Sequence, residues 1–288
     1  MDWSSRRERL RALIAEQSCY YPGSVFDPIS ARIAEDLGFE IGMFAGSVAS
    51  FTVLGAPDRV VLTLSEFASQ ALRICRACNL PLLVDADHGY GNALNVQRTV
   101  EELETAGVCA LTIEDTLLPA PFGNGDGKDL ISVEEGVGKM RAALLGRQDR
   151  KLVIVGRTSA VPITGVDDAI VRAKAYVAAG VDAMFFVGVR TRTQLDAIAS
   201  AIKIPIFLGG AGGELYDRDY LASRGVRIGL QGHAPFLASV RAVHETLRAL
   251  REGTPPSEIK AVASSELMKR VTREADYDRW NDAFLRTT

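Results

Sequence analysis

Short apolar runs alternate with longer amphipathic segments almost to the end of the 288-residue chain. Eight runs read as strands: Ser24–Asp27, Ile41–Ala45, Leu80–Asp85, Ala110–Glu114, Leu152–Gly156, Ala183–Val187, Pro205–Leu208 and Arg227–Leu230. Most are nearly continuous in apolar character and rich in β-branched or aromatic residues. That is the pattern of parallel strands covered on both faces. Between them the apolar spacing turns helical. Ser65 and Glu66 open a periodic run to Ala77, and Asn92 caps one that ends at Ala106 before Gly107. Ser132 opens another, with Glu135 at the capping-box position. Further helices run from Gly165 to Ala179 and from Thr191 to Ile202. Ala-Gly-Val-Cys-Ala, Ala-Gly-Val-Asp-Ala and Arg-Gly-Val-Arg each precede a strand, marking a helix end, a glycine turn and a strand start.

Eight such units in this length predict an α/β fold, a (β/α)₈ TIM-type barrel with extra C-terminal helices. No G-x-G-x-x-G follows the first strand, which counts against a dinucleotide fold, and no G-x-x-x-x-G-K-[ST] phosphate loop is present. Beyond His233 a long helix is expected to Arg251, then a Gly-Thr-Pro-Pro break at 253–256, then helical sequence to Thr288. Residues 1–288 are read as a single barrel domain, with a helical extension over about 252–288 that packs on the barrel or on a partner subunit.

Composition narrows the function. Hydrophobic content of 47% and charged content of 24% suit a globular chain with a large core. The net charge of −3 offers no bulk attraction for nucleic acid or an anionic membrane. No apolar run approaches the ~20 residues that span a bilayer. The charged, helix-like start lacks the apolar core and cleavage site of a signal peptide, so the cytoplasm is the expected location. The four cysteines are too few and scattered for a disulfide scaffold. Cys75 and Cys78 form one C-x-x-C in a helix-like stretch, and zinc needs a second pair or added histidines, so they read as packing.

In such barrels the chemistry sits where the strands end. The second strand runs into Ser47, the third into Asp85 and Asp87, and the fourth ends at Glu114-Asp115. The fifth meets Arg157, and the eighth meets His233. Asp85, Asp87 and Glu114 are hard oxygen donors, suited to Mg²⁺, which takes few carboxylates and keeps several waters. Asp87 and Asp115 could instead cap the helices that follow. Asp85 ends an apolar strand, and a carboxylate buried there requires a cation or several hydrogen bonds. Arg157 could hold a substrate carboxylate, stabilise a developing enolate, or pair with Glu114 or Asp85. His233 is a candidate ligand contact, His88 lies behind the rim, and His244 falls mid-helix.

Gly46-Ser-Val-Ala-Ser, Gly55-Ala-Pro-Asp58, Asp85-Ala-Asp-His-Gly-Tyr-Gly and Ile113-Glu-Asp together resemble the isocitrate lyase/phosphoenolpyruvate mutase superfamily, in order and spacing from about residue 20 to 240. The resemblance implies a barrel with a swapped eighth helix, Mg²⁺ (with Mn²⁺ as a substitute), a homotetramer built as a dimer of dimers, and chemistry on 2-oxo acids. The lyases carry a Lys-Lys-Cys-Gly-His type loop after the equivalent of Glu114, but residues 115–130 contain no cysteine or histidine. Asn124 and Lys128 are not in the phosphonopyruvate-type arrangement. Ser24-Val-Phe-Asp-Pro, Asp85 through Val96, Glu114-Asp-Thr-Leu-Leu-Pro-Ala and Gly232-His-Ala resemble the oxaloacetate decarboxylase branch.

That branch implies Asp85 as the metal residue, supported by Asp87, Glu114 and Asp58, with Ser47, Arg157 and His233 binding substrate and Arg157 and His233 catalytic. The expected reaction is Mg²⁺-dependent decarboxylation of oxaloacetate, a small 2-oxo dicarboxylic acid, to pyruvate and CO₂ through an enolate. The alternatives are another C–C or P–C bond lyase or hydrolase of the superfamily and a non-catalytic metabolite-binding barrel. In the run Leu208-Gly-Gly-Ala-Gly-Gly-Glu the glycines offer only backbone groups where superfamily members commonly place polar side chains, so substrate identity stays open on sequence grounds.

Overall fold

The computed structural model describes residues 2–123, 129–260 and 262–286. Asn124, Lys128 and Thr288 lie outside the described residues. The chain divides into two compact units, Met1–His233 and Ala234–Thr288.

In the first unit the strands are β1 (Gly23–Ser24), β2 (Gly42–Phe44), β3 (Leu82–Asp85), β4 (Ala110–Glu114), β5 (Val153–Thr158), β6 (Ala183–Phe186), β7 (Ile206–Leu208) and β8 (Val226–Gly229). They form one sheet in sequence order, every neighbouring pair parallel. Tyr20, just before β1, bridges Ile228 on β8. Its N–H donates to the Arg227 carbonyl at 2.8 Å and its carbonyl accepts from the Gly229 N–H at 3.0 Å. The last strand is thereby joined to the segment leading into the first, as a (β/α)₈ barrel requires. Helices α1 (Trp3–Ala15), α2 (Pro28–Asp36), α3 (Gly46–Ala49), α4 (Leu64–Ala77), α5 (Ala93–Thr105), α6 (Val133–Gly146), α7 (Ala160–Ile163), α8 (Val166–Ala179), α9 (Arg192–Ala201) and α10 (Arg218–Ser223) fill the connections.

The predicted alternation holds, and the differences are local. The first strand stops at Ser24 because Asp27 turns to cap α2, accepting from the Ser30 N–H at 2.6 Å with Pro28 at the first helical position. Thr63 caps α4 in a reciprocal box with Glu66, so the helix begins at Leu64, one residue before the run read from Ser65. Asn92 and Thr191 cap α5 and α9, and Gly180 ends α8 in the left-handed conformation. Cys75 lies on α4 and Cys78 caps its end, and both are buried free thiols.

One continuous apolar core lies between strands and helices, with Phe44, Phe67, Leu82, Leu103, Leu111, Tyr176 and Phe186 inaccessible or nearly so. Arg7 of α1 is buried, donating through Nε to the Val108 carbonyl at 3.0 Å and through Nη1 to Asp149 at 3.0 Å.

The second unit contains α11 (Ala234–Arg251), a 3₁₀ turn at Pro256–Glu258, α12 (Ser265–Thr272) and α13 (Glu274–Phe284). His244 lies mid-helix in α11 as expected. No helix of the described residues is long and apolar enough to cross a membrane.

Candidate active site

Strand register builds the site. Glu114 pairs with Arg157 across β4 and β5, Arg157 with Phe185 across β5 and β6, and Asp85 with Thr112 across β3 and β4. Because side chains alternate along a strand, these pairings carry the predicted residues to one rim. They line a cavity of about 720 Å³ that takes in Ser47, Asp58, Asp85, Asp87, Glu114, Arg157 and His233. All seven are the residues expected from sequence. Met43, Leu118, Pro162, Ile163, Phe185 and Leu230 complete much of its wall.

Arg157 is the hub. Its Nη1 donates to Asp85 Oδ2, its Nη2 lies 3.0 Å from Glu114 Oε2, and its guanidinium carbon stands 5.5 Å over the Phe185 ring. The ion-pair reading of Arg157 therefore holds with both acids at once. Burial works against its charge, but Asp85 and Glu114 outweigh that and hold its pKa above the ordinary arginine value. Asp85 is only partly buried. Its Oδ1 accepts from Thr112 Oγ1 at 3.0 Å and from the Asp87 N–H at 3.1 Å.

The Asp85–Gly91 turn is tightly wound, with Asp87 at φ 47° and Tyr90 at φ 61°. Such left-handed positions for non-glycine residues gather at functional sites. Gly46 makes room for this turn: a Cβ there would sit 2.7 Å from Asp87 Oδ1. Asp87 thus lines the cavity instead of capping a helix. Burial, with Asp85 and Glu114 beside it, pushes its carboxyl well above the usual range. Burial also raises Glu114, and the Arg157 charge opposes that shift.

These observations suit a hard divalent cation. Four acids, Asp58, Asp85, Asp87 and Glu114, line the cavity with Arg157, and burial holds the Asp87 and Glu114 carboxyls above the ordinary range. Among the described residues no group of three or more His, Cys, Asp and Glu is arranged to hold a metal ion by itself. Mg²⁺ needs no such group, since it binds through one or two carboxylates plus waters.

His233 lies at the mouth of β8, half-buried, with Nδ1 3.0 Å from Ser24 Oγ on β1. Burial lowers its pKa, and Asp85 and Asp58 oppose that. His88 is buried behind the rim. Desolvation and the Lys139 charge bring its pKa down to about 4, and its carbonyl accepts from Lys139 Nζ at 3.0 Å.

Asp115 does not cap a helix. It is fully buried, and its Oδ2 accepts from Tyr176 Oη at 3.0 Å and from Arg172 Nη1 at 3.3 Å. Arg172 also donates to the Ile131 carbonyl at 2.9 Å. Ile131 N–H in turn donates to the Asp115 carbonyl at 2.9 Å, so both ends of the segment after β4 are tied to α8. Reading strand ends could not find Arg172 and Tyr176. They sit mid-helix, 57 and 61 residues from their partner.

Residues 10–251 match the phosphoenolpyruvate phosphomutase family. The chain belongs to that family. An oxaloacetate decarboxylase of Bradyrhizobium diazoefficiens is 62% identical over 96% of this chain and 96% of its own length. One of Rhodopseudomonas palustris is 61% identical over 96% and 95%. The fold of this family member superposes on a phosphonopyruvate hydrolase complexed with oxalate and Mg²⁺, at TM-score 0.86 and 26% identity, covering 98% of this chain and 99% of that one. It also superposes on an oxaloacetate acetylhydrolase bound to 3,3-difluorooxalacetate, at TM-score 0.85 and 26% identity, covering 97% of each chain.

Proposed function

We propose that this family member is a Mg²⁺-dependent carboxy-lyase that converts oxaloacetate to pyruvate and CO₂. The observation that carries the reading is the convergence of Asp85, Glu114, Arg157 and His233 on one cavity, in a chain 62% identical to an oxaloacetate decarboxylase. Asp85, supported by Asp87, Glu114 and Asp58, would hold the ion, and Mn²⁺ would substitute for it. When bound, the ion supplies Lewis-acid polarisation of a keto group, worth on the order of several kcal/mol. Arg157 and the Ser47 segment receive the carboxylate next to the keto carbon. Phe185, Pro162 and Ile163 give the cavity an apolar wall beside it. The C3–C4 bond breaks, its electron pair passes to the enolate, and CO₂ departs. A proton returned to C3 gives pyruvate. His233 either holds the departing carboxylate or delivers that proton.

The test is product analysis with and without EDTA, above the free-metal background. Pyruvate and CO₂ are expected, with a loss of at least about a hundredfold in Asp85→Ala. A wild-type rate in that variant removes Asp85 from the metal site. Oxalate and acetate in place of pyruvate would make the reaction that of a C–C hydrolase.

The enzyme is further read as a cytoplasmic homotetramer, a dimer of dimers that exchanges its eighth helix. The motivation is α11, whose Leu237, Val240, Val243 and Leu247 form one exposed apolar stripe. Light scattering at the mass of one 31.1 kDa chain would rule the assembly out.

A further inference from the structure

Ser24 does not line the cavity, yet its hydroxyl oxygen is 3.0 Å from Nδ1 of His233, which does. The two residues are 209 positions apart and meet because β1 and β8 lie together where the barrel closes at Tyr20 and Ile228. The nitrogens of an imidazole face away from each other, and the bond made by one decides what the other presents. A ring tied to β1 through Nδ1 leaves Nε2 for the cavity.

The partner's chemistry matters. A carboxylate at Nδ1 only accepts, so it fixes the proton there and leaves Nε2 without one in the neutral ring. A serine hydroxyl both donates and accepts. When His233 is neutral with its proton on Nε2, Ser24 donates to Nδ1. When His233 is protonated on both nitrogens, Ser24 accepts from Nδ1–H. The hydroxyl rotates, and the ring keeps one orientation in both states. A group that must donate at Nε2 and then recover its proton needs that tolerance, and so does one that grips a carboxylate and then releases it.

We infer that Ser24 is a positioning residue for the decarboxylation, holding the His233 ring with Nε2 toward the substrate through both of its protonation states. This rests on the reading in which His233 faces the substrate. Misplacing a reacting group by about 1 Å costs up to about a hundredfold. Ser24→Ala is therefore expected to lower kcat/KM by about tenfold to a hundredfold. Ser24→Thr keeps the hydroxyl on a residue suited to a strand, and is expected to recover most of that loss.

The decisive measurement is a double-mutant cycle with His233→Gln, each variant first matched to wild type in thermal midpoint. The expected result is that Ser24→Ala costs nothing further once His233 is gone. Three results would overturn the inference. An unimpaired Ser24→Ala beside an impaired His233→Gln leaves His233 at the substrate and removes Ser24 from its support. A loss that persists undiminished in the His233→Gln background, or that Ser24→Thr shares, assigns Ser24 to strand packing. An unimpaired His233→Gln removes His233 from the site, and the role of Ser24 with it.

Discussion

Replacing Arg157 with methionine tests the electrostatic account of the cavity without depending on turnover. The guanidinium touches Asp85 and Glu114 together, and the three side chains are 16%, 16% and 5% exposed. Methionine keeps much of the length and packs on Phe185, but leaves both acids without their shared counter-charge. Breaking a buried pair from one side costs about 3–5 kcal/mol. At about 2 °C per kcal/mol for a chain of this size, the midpoint in EDTA should fall by about 6–10 °C. Proton uptake by Glu114 and Asp87, whose carboxyls already stand high, draws the effect toward the lower figure. Mg²⁺ then supplies the missing positive charge. An ion held at a hundred times its dissociation constant adds about 2.7 kcal/mol. Mg²⁺ should therefore raise the midpoint of Arg157→Met more than that of wild type, where the guanidinium already compensates the acids. Circular dichroism melts of both proteins in EDTA and in saturating Mg²⁺ make the comparison. A variant within about 2 °C of wild type in EDTA would refute the reasoning, as would equal Mg²⁺ shifts in the two proteins.

Two further expectations follow from the same surroundings. The Asp87 carboxyl has a folded pKa above its unfolded value of about 3.9, so its contribution to stability is full below that value and is lost as pH rises through the folded one. In EDTA, Asp87→Asn should gain on wild type with rising pH and lose that advantage in Mg²⁺. Parallel midpoint-against-pH curves for the two metal-free proteins would refute this. Tyr176→Phe removes the 3.0 Å hydrogen bond to buried Asp115 and should cost about 1.5–3 kcal/mol, seen as a midpoint lower by about 3–6 °C. An unchanged midpoint would show that the remaining donors, Arg172 and the Ser159 N–H among them, satisfy the carboxylate.

The candidate site was legible because a parallel barrel turns strand order into spatial order. Each strand runs the same way, so the residue after each apolar run arrives at the same rim. Asp85, Glu114, Arg157 and His233 could be placed there from the sequence alone. The caps were legible wherever local chemistry decides them, as with Asn92 and Ser132. Asp27 misled the strand reading, because a run of apolar residues does not show where backbone pairing stops and side-chain capping begins.

Other features depend on pairings between distant segments, which no local pattern records. Sequence offered Arg157 a substrate, an ion pair with Glu114 or Asp85, or both. Only the β3–β4 and β4–β5 registers, the second of which sets it opposite Glu114, gave it Asp85 and Glu114 together. A capping role stayed open for Asp115 until α8 brought Arg172 and Tyr176 to it. Ser24 became a partner for His233 only through closure of the barrel between the first and last strands. The sequence by itself thus determined which chemical groups reach the rim, since strand period and direction are local properties. The tertiary structure decided which of those groups share protons and charge, since that is set by distances across the barrel.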